Sequence, residues 1–374
     1  MTKLLAAFAV SLLLSCISEQ NTRAALADGR RYSVWRDGAY VLLLVVLTLF
    51  AGLRTSYNDT GNYISSYAAA PTLAEFLSDP ENFNIFKNPL FFAFRSLLKS
   101  LGCDAQMLIL ITSFLTQASI LRFLKRYSQH FTFSVFLYFT LGTFAFTLAA
   151  LKQVLAMAVA VLAFPQLEKR HWLRYYLIIF LAMLLHTYAL AFAVLPFFAV
   201  KPWRSFTFLF VAAMAVLMMN FEATITAFME QANDLGKSLA DYEVFDDATI
   251  NLFRLSVYAV TPLISLAFQR WALRRSTRMD NVLIHMSIIS LAFMSMGTQS
   301  GANMFARMAT YFELGTLCCL PNMLSDIFAR RSYRLISFLA AACFFGFFVY
   351  DNAVRLQFDQ EYQAMSLWQF LMSL

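Results

Sequence analysis

The stretch FTFSVFLYFTLGTFAFTLAALKQVLAMAVAVLAFPQ, Phe131 to Gln166, runs for roughly 35 residues with a single cation, Lys152, followed by Gln153. A helix needs only about 20 apolar residues to cross a hydrocarbon core, so this run is too long for one pass. It reads as a hairpin of two membrane helices with its outer turn near Thr147–Lys152. A cation in such a place costs several kcal/mol unless it faces protein or a wet cavity, which marks it as a candidate functional residue. Arg54, Arg254 and Arg307 repeat the pattern, each at or just inside the end of an apolar segment.

The rest of the chain agrees with a membrane protein. Of 374 residues, 60% are hydrophobic, 40 are Phe and only 14% are charged, against about 25% charged in soluble proteins. The apolar blocks are continuous and do not alternate, so they are helices and not barrel strands. The expected fold is all-α, a polytopic transmembrane helix bundle of about 11–12 passes with an outer-face cavity. The net charge of +7 falls in short clusters between apolar runs, the positive-inside pattern, and gives no sign of nucleic-acid binding. Cys16, Cys103, Cys318, Cys319 and Cys343 have no zinc spacing and read as core residues. No phosphate-binding loop, dinucleotide fingerprint or metalloprotease motif occurs. The reading therefore includes no cofactor and no metal, and any reaction must draw its energy from the substrate.

Loop charge orders the spans as one integral membrane domain, residues 1–374. Met1–Cys16 superficially fits a lipoprotein signal. Arg23, Arg30, Arg31 and Arg36 suit a cytoplasmic loop better, so Leu4–Ile17 is read as a first span. Gly38–Leu53 then leads into an outer segment, 54–105, and Gln106–Leu121 returns to a cytoplasmic cluster, Arg122, Lys125 and Arg126. Tyr175–Val200 is long for one pass and short for two. Only if it enters, turns near His186–Tyr188 and comes back are all later basic clusters cytoplasmic. Spans follow at Phe206–Phe221, Asn251–Trp271, Val282–Met296, Met304–Leu320 and Leu335–Tyr350, with an acidic outer loop at 222–250. The tail, 352–374, places Phe358, Tyr362, Met365, Trp368 and Leu371 at helical spacing, as in an amphipathic helix on the membrane surface.

In this topology Arg54, Lys152, Arg254 and Arg307 all lie at outer helix ends, against the charge bias. Asn303, Arg307 and Tyr311 repeat at i, i+4, i+8 and form one stripe running inward. Asn251, Arg254 and Tyr258 do the same, and Gln299 just before the first stripe joins the binding set. Guanidinium forks and tyrosine hydroxyls bind phosphate and sugar hydroxyls, which points to an anionic amphiphile such as a lipid-linked sugar phosphate. Tyr57, Asn58, Asp59 and Tyr63 follow Arg54 directly and add a carboxylate. His186 lies deep in an apolar run, where a group titrating near neutrality can act as base or donor.

These residues resemble the EpsG branch of the Wzy-like polysaccharide polymerases. The match is carried by Arg54 followed by Asn-Asp59-Thr-Gly-Asn-Tyr63, by Asn88-Pro-Leu-Phe-Phe, by Lys152-Gln153 followed by Leu-Leu-His186-Thr187, and by Asn303…Arg307-Met-Ala-Thr-Tyr311-Phe. Lys152 stands where arginine is usual, which loses a bidentate contact, and Thr187 replaces an aromatic after the histidine. The resemblance implies a glycosyltransferase-type polymerase of the bacterial cytoplasmic membrane. It would join undecaprenyl-pyrophosphate-linked repeat units, donor to acceptor, on the outer face, with membrane lipid around it and a chain-length regulator protein as a further partner. Asp59 or His186 would take the acceptor's proton and Arg307 would stabilise the leaving diphosphate. A lipid-linked oligosaccharide flippase and a glycan acyltransferase are the competing classes.

Overall fold

A computed structural model describes the chain except residues 222, 224, 225, 228, 229, 232–248 and 374, so most of the acidic outer loop expected at 222–250 lies outside the described residues. The described residues are almost wholly helical, as the continuous apolar blocks require. Among the described residues five helices are long and apolar enough to cross a membrane, or six if the bent pair Phe131–Thr140 and Thr143–Ala149 is one span. That is fewer than the 11–12 passes expected, because several other apolar helices, among them Gly38–Gly52 and Ser205–Met219, reach only 10–17 residues. The protein is a multi-pass membrane protein built as a helix bundle.

Its contacts fall into two compact units, Met1–Leu190 with Leu339–Leu374, and Ala191–Phe338. In the first, α1 (Thr2–Ala27) and α2 (Gly38–Gly52) pack together, and α6 (Ala105–Tyr127) lies on α2. Asp37 starts α2 by accepting from the Ala39 N–H at 3.2 Å, and Asp104 starts α6 by accepting from Met107 at 2.7 Å; each satisfies one of the donors a helix start leaves open. At the α2–α6 crossing a Cβ on Gly52 would stand 2.4 Å from Leu110 Cδ1, so any larger residue there forces Leu110 to shift.

The Phe131–Gln166 run breaks twice, not once. α7 (Phe131–Thr140) and α8 (Thr143–Ala149) meet at 56°, with Gly142 left-handed at φ +87°, and a second break at Ala150 precedes α9 (Leu151–Val161) and α10 (Phe164–Glu168). The first bend needs a glycine, and hydrogen bonds from the neighbouring helix bridge the two halves. Tyr138 donates to Gln117 Oε1 at 2.8 Å, and Gln117 Nε2 donates to Thr147 Oγ1 at 3.1 Å. After α10, α11 (Trp172–Leu185) packs on α9 and ends at His186, whose backbone is extended (φ −160°, ψ 125°). A 3₁₀ stretch, Thr187–Phe198, follows. The helix therefore breaks where the loop-charge argument put a turn.

Residues 54–105, expected as an outer segment, form α3 (Thr60–Ala68), α4 (Leu73–Ser78) and α5 (Pro89–Ser100). Lys99 Nζ donates to the Ala68 carbonyl at 2.7 Å and also to that of Ala70, while the Leu73 N–H donates to Ser100 Oγ at 2.7 Å. These bonds tie α5 to the end of α3. The tail is not one amphipathic helix. Helical turns at Phe358–Glu361 and Leu367–Ser373 flank a strand, β2 (Gln363–Ala364), which pairs antiparallel with β1 (Arg54–Ser56) in the register Arg54↔Ala364. Tyr362 breaks the helical pattern because it is buried, with its hydroxyl donating to the Phe50 carbonyl at 2.7 Å and its ring stacked on Phe50 at 4.8 Å.

The second unit contains α12 (Ser205–Met219), α13 (Leu252–Ala267), α14 (Gln269–Ala272), α15 (Arg278–Met296) and α16 (Ala302–Ile327); α17 (Arg330–Tyr350) runs on into the first. α15 and α16 form its tightest pair. A Cβ on Gly315 would stand 2.5 Å from both the Leu283 carbonyl oxygen and Met286 Cβ. His285 is a satisfied core residue, with one ring nitrogen 2.8 Å from Thr207 Oγ1 and the other 2.9 Å from the Asn281 carbonyl.

Candidate functional site

Arg54 leaves α2 and enters β1, so its side chain is held by the sheet edge and by α6. It is 1% exposed and turns inward. Nε donates to Thr60 Oγ1 at 3.0 Å, and Nη1 donates to Ser113 Oγ at 3.2 Å and to the Ala51 carbonyl. Gln106 Nε2 fixes the same turn by donating to the carbonyls of Gly52 at 2.6 Å and Arg54 at 3.1 Å. Among the described residues Arg54 makes no ion pair. Burial pushes its pKa down to about 10, partly offset by Tyr362, Tyr63 and Tyr57, so it stays charged at neutral pH.

Asp59 follows Arg54 closely in the sequence, yet the two form no ion pair in the structure. The Arg54 Nε and Nη1 go to two hydroxyls and a carbonyl, and Thr60 takes the position facing the guanidinium. Asp59 sits at the start of α3, half-buried, and its carboxylate makes no hydrogen bond or ion pair among the described residues. Tyr57 is a core ring packed on Phe358 at 5.1 Å, whereas Asn58 is exposed in a left-handed turn at φ +47°. Asn and Asp are the side chains that tolerate that conformation best. Tyr63 extends from α3 to the ring of Phe91 on α5 at 6.0 Å.

Lys152 opens α9, and its Nζ stands 5.5 Å from the centroid of Phe92, the neighbour of Phe91. Tyr63 and Lys152 thus lie on adjacent rings of α5. Gln153 is buried in the helix core. His186 is half-buried at the end of α11; its Nδ1 accepts from the Tyr188 N–H at 3.3 Å, and its ring meets that of Tyr188 edge-on at 4.7 Å. Sequence reading passed over Arg95, whose guanidinium also lies on Phe92, at 4.9 Å. The available signal was its i, i+3 spacing from Phe92 in Phe-Phe-Ala-Phe-Arg.

In the second unit the stripe Asn303, Arg307, Tyr311 runs from exposed through half-buried to fully buried, as a face descending into a bundle does. Arg307 Nε donates to Asn303 Oδ1 at 2.8 Å, which aims the guanidinium along the helix. Tyr311 packs against Phe192 at 5.7 Å. Asn251 caps α13 by accepting from the Arg254 N–H at 2.8 Å, and the Arg254 guanidinium lies over the Tyr258 ring at 5.9 Å. Tyr258 packs with Ile250, Met294 and Ala309, which sets α13 beside the α16 stretch that carries Arg307. Gln299 is exposed and donates to the Met218 carbonyl at 3.3 Å. Two polar groups are therefore built, one in each unit, and each joins cations to aromatic and amide side chains.

An α-helical multi-pass membrane protein with cations at helix ends is the class that fold and residues define. The EpsG family matches residues 39–364, so the chain belongs to the EpsG family, a family of Wzy-like polysaccharide polymerases. No curated protein and no solved structure matches the chain.

Proposed function

We propose that this protein joins undecaprenyl-pyrophosphate-linked oligosaccharide repeat units into a surface polysaccharide at the outer face of the bacterial cytoplasmic membrane. The observation that carries this reading is the family match over residues 39–364. The reaction forms a bond between an acceptor hydroxyl oxygen and the donor's anomeric carbon. The bond from that carbon to the pyrophosphate breaks, undecaprenyl pyrophosphate leaves with the electron pair, and the acceptor's proton passes to a base. No nucleotide is consumed, which agrees with the absence of nucleotide motifs.

Donor and acceptor each carry a lipid diphosphate, and cations fixed in a low-dielectric setting stabilise such charge most strongly. Lys152 in the first unit and Arg254 and Arg307 in the second are assigned to these diphosphates. Arg54 is assigned to holding the strand that presents Asn58 and Asp59, because its Nε and Nη1 already donate to protein acceptors. Asp59 is the preferred base: it is half-buried and its carboxylate has no protein partner among the described residues. His186 fits a donor better, since an Nδ1 that accepts from Tyr188 leaves the neutral ring's proton on Nε2. Tyr63, Asn58, Gln153, Gln299, Asn303, Tyr258 and Tyr311 are assigned to sugar or phosphate contacts.

Glycan from a strain lacking the protein tests the class. Single exported repeat units mean that polymerisation is lost, whereas absent export means a flippase and sinks the proposal. Purified protein with synthetic lipid-linked repeat units tests the base. Asp59→Asn should lose about 10²-fold or more in chain extension, and His186→Gln should lose less at saturating substrate. The reverse order would reassign the two residues.

A further inference from the structure

Phe92 lies beneath two cations. The Arg95 Cζ stands 4.9 Å and the Lys152 Nζ 5.5 Å from its ring centroid, so the two charges are at most about 10 Å apart by those distances. Like charges that close repel, and for Arg95 the face of one aromatic ring is a weak attractor to set against that repulsion. Arg95 has little else to hold it. Its Nε is buried without a hydrogen-bond partner, and no hydrogen bond or ion pair of its side chain occurs among the described residues. A guanidinium has five donors in a planar fork, and here the fork is unspent.

The helix that carries it is fixed. Lys99 and Ser100 tie α5 to the α3–α4 segment, and α11 packs on it from another side. Tyr63, at the end of the Asn-Asp-Thr-Gly-Asn-Tyr element, lies on Phe91 next door. A rigid pair of cations beside a phenol and an apolar ring fits a phosphate oxyanion, which a fork grips in bidentate fashion and an ammonium as a point charge.

We infer that Arg95 and Lys152 together form a phosphate-binding subsite over Phe92, taking the oxyanion of a diphosphate, and that Arg95 supplies the bidentate contact. This rests on the polymerase reading for its natural ligand but not for its test. The source can be the diphosphate of the lipid carrier or a free phosphate compound, and the probes separate them.

Full-length protein in lipid nanodiscs, as wild type, Arg95→Gln, Arg95→Lys, Lys152→Gln and the double variant Arg95→Gln with Lys152→Gln, is titrated with sugar-free polyprenyl diphosphate and with inorganic pyrophosphate. Arg95→Gln should weaken binding by about tenfold, the equivalent of roughly 1.4 kcal/mol, and Arg95→Lys by less. The double variant should lose less than the sum of the single losses, since the two cations share one ligand. Tight binding of the lipid probe but not of pyrophosphate identifies the carrier as the source; equal binding shows that phosphate chemistry suffices. Either supports the subsite.

Wild-type affinity of Arg95→Gln for both probes at an unchanged Tm overturns it. If Arg95→Gln fails to fold, wild-type affinity of Arg95→Lys does the same. Chain extension measured on the same samples separates the two ideas. A wild type that binds polyprenyl diphosphate but extends no chain, while Arg95→Gln loses binding, removes the polymerase reading and keeps the subsite. Normal extension by Arg95→Gln, with unchanged KM and binding, removes the subsite and keeps the polymerase.

Discussion

Arg54 in the first unit and Arg307 in the second both follow the same sequence rule, an arginine at the end of an apolar helix, yet the fold uses them differently. Arg54 is buried and bound to Thr60, Ser113 and the Ala51 carbonyl. Arg307 lies half-buried on a helix face, oriented by Asn303 with an exposed amide above it. The lesson is that position in the sequence identifies a costly cation, but burial and hydrogen-bond partners decide how deeply the fold takes it in.

Replacing Arg54 should break the comparison most visibly. Arg54→Met leaves several buried acceptors without their donor, at about 1–3 kcal/mol per group. Loss of stability near 3 kcal/mol is expected, read as a fall in Tm and in membrane accumulation. Unchanged Tm with lost activity would instead give Arg54 the ligand-binding role proposed for Arg307.

Arg307→Ala should give the opposite pattern. Chain extension should drop by about 10²-fold, in the range for removing a group that stabilises developing charge. Stability should stay within about 0.5 kcal/mol. Arg307→Lys should restore only part of the rate, because an ammonium cannot form the fork. Full-length polymer made at the wild-type rate by Arg307→Ala would contradict its assigned role.

Two glycines sharpen the comparison at the level of packing. An added Cβ at Gly315 meets the Leu283 backbone carbonyl, whereas at Gly52 its nearest obstacle is the tip of the Leu110 side chain. Overpacking costs typically 1–3 kcal/mol, so Gly315→Ala should cost about 2–3 and Gly52→Ala about 1. Thermal denaturation in one detergent would show whether that order holds.

The smallest expected effect belongs to the tail. Tyr362→Phe removes the bond to the Phe50 carbonyl and keeps the ring stack, so about 1 kcal/mol should be lost. A drop in activity larger than that loss of stability explains would show that the β1–β2 pairing also positions Asn58 and Asp59.

Several of these features were legible in advance. The breaks at Ala150 and His186 follow from a run too long for one span and from the need to bring later basic clusters to one side, whereas the bend at Gly142 was not foreseen. The Asn303, Arg307, Tyr311 face follows from helical spacing, and the structure grades it from exposed to buried. The direction of Arg54 was not legible. Its partner Ser113 lies 59 residues away, and nothing local distinguishes an inward turn from a pairing with Asp59. The tail misled for a related reason: its apolar spacing is helical, but Tyr362 is claimed by α2, 312 residues distant in sequence. Arg95 went unnoticed because a cation three residues past a phenylalanine is ordinary on a helix surface until a second cation arrives over the same ring.

By itself the sequence determined the class of fold and the family. Lipid forces every backbone donor and acceptor to be satisfied within helices, so continuous apolar runs leave one architecture open, and the ordered motifs from Arg54 to Tyr311 mark the family. The tertiary structure decided which cations are spent inside the protein, which aromatic rings bring Lys152 and Arg95 together, and that the tail closes as a strand on β1. Those outcomes depend on contacts between residues far apart in the chain, where local spacing carries no information and the cost of an unsatisfied buried group chooses the partner.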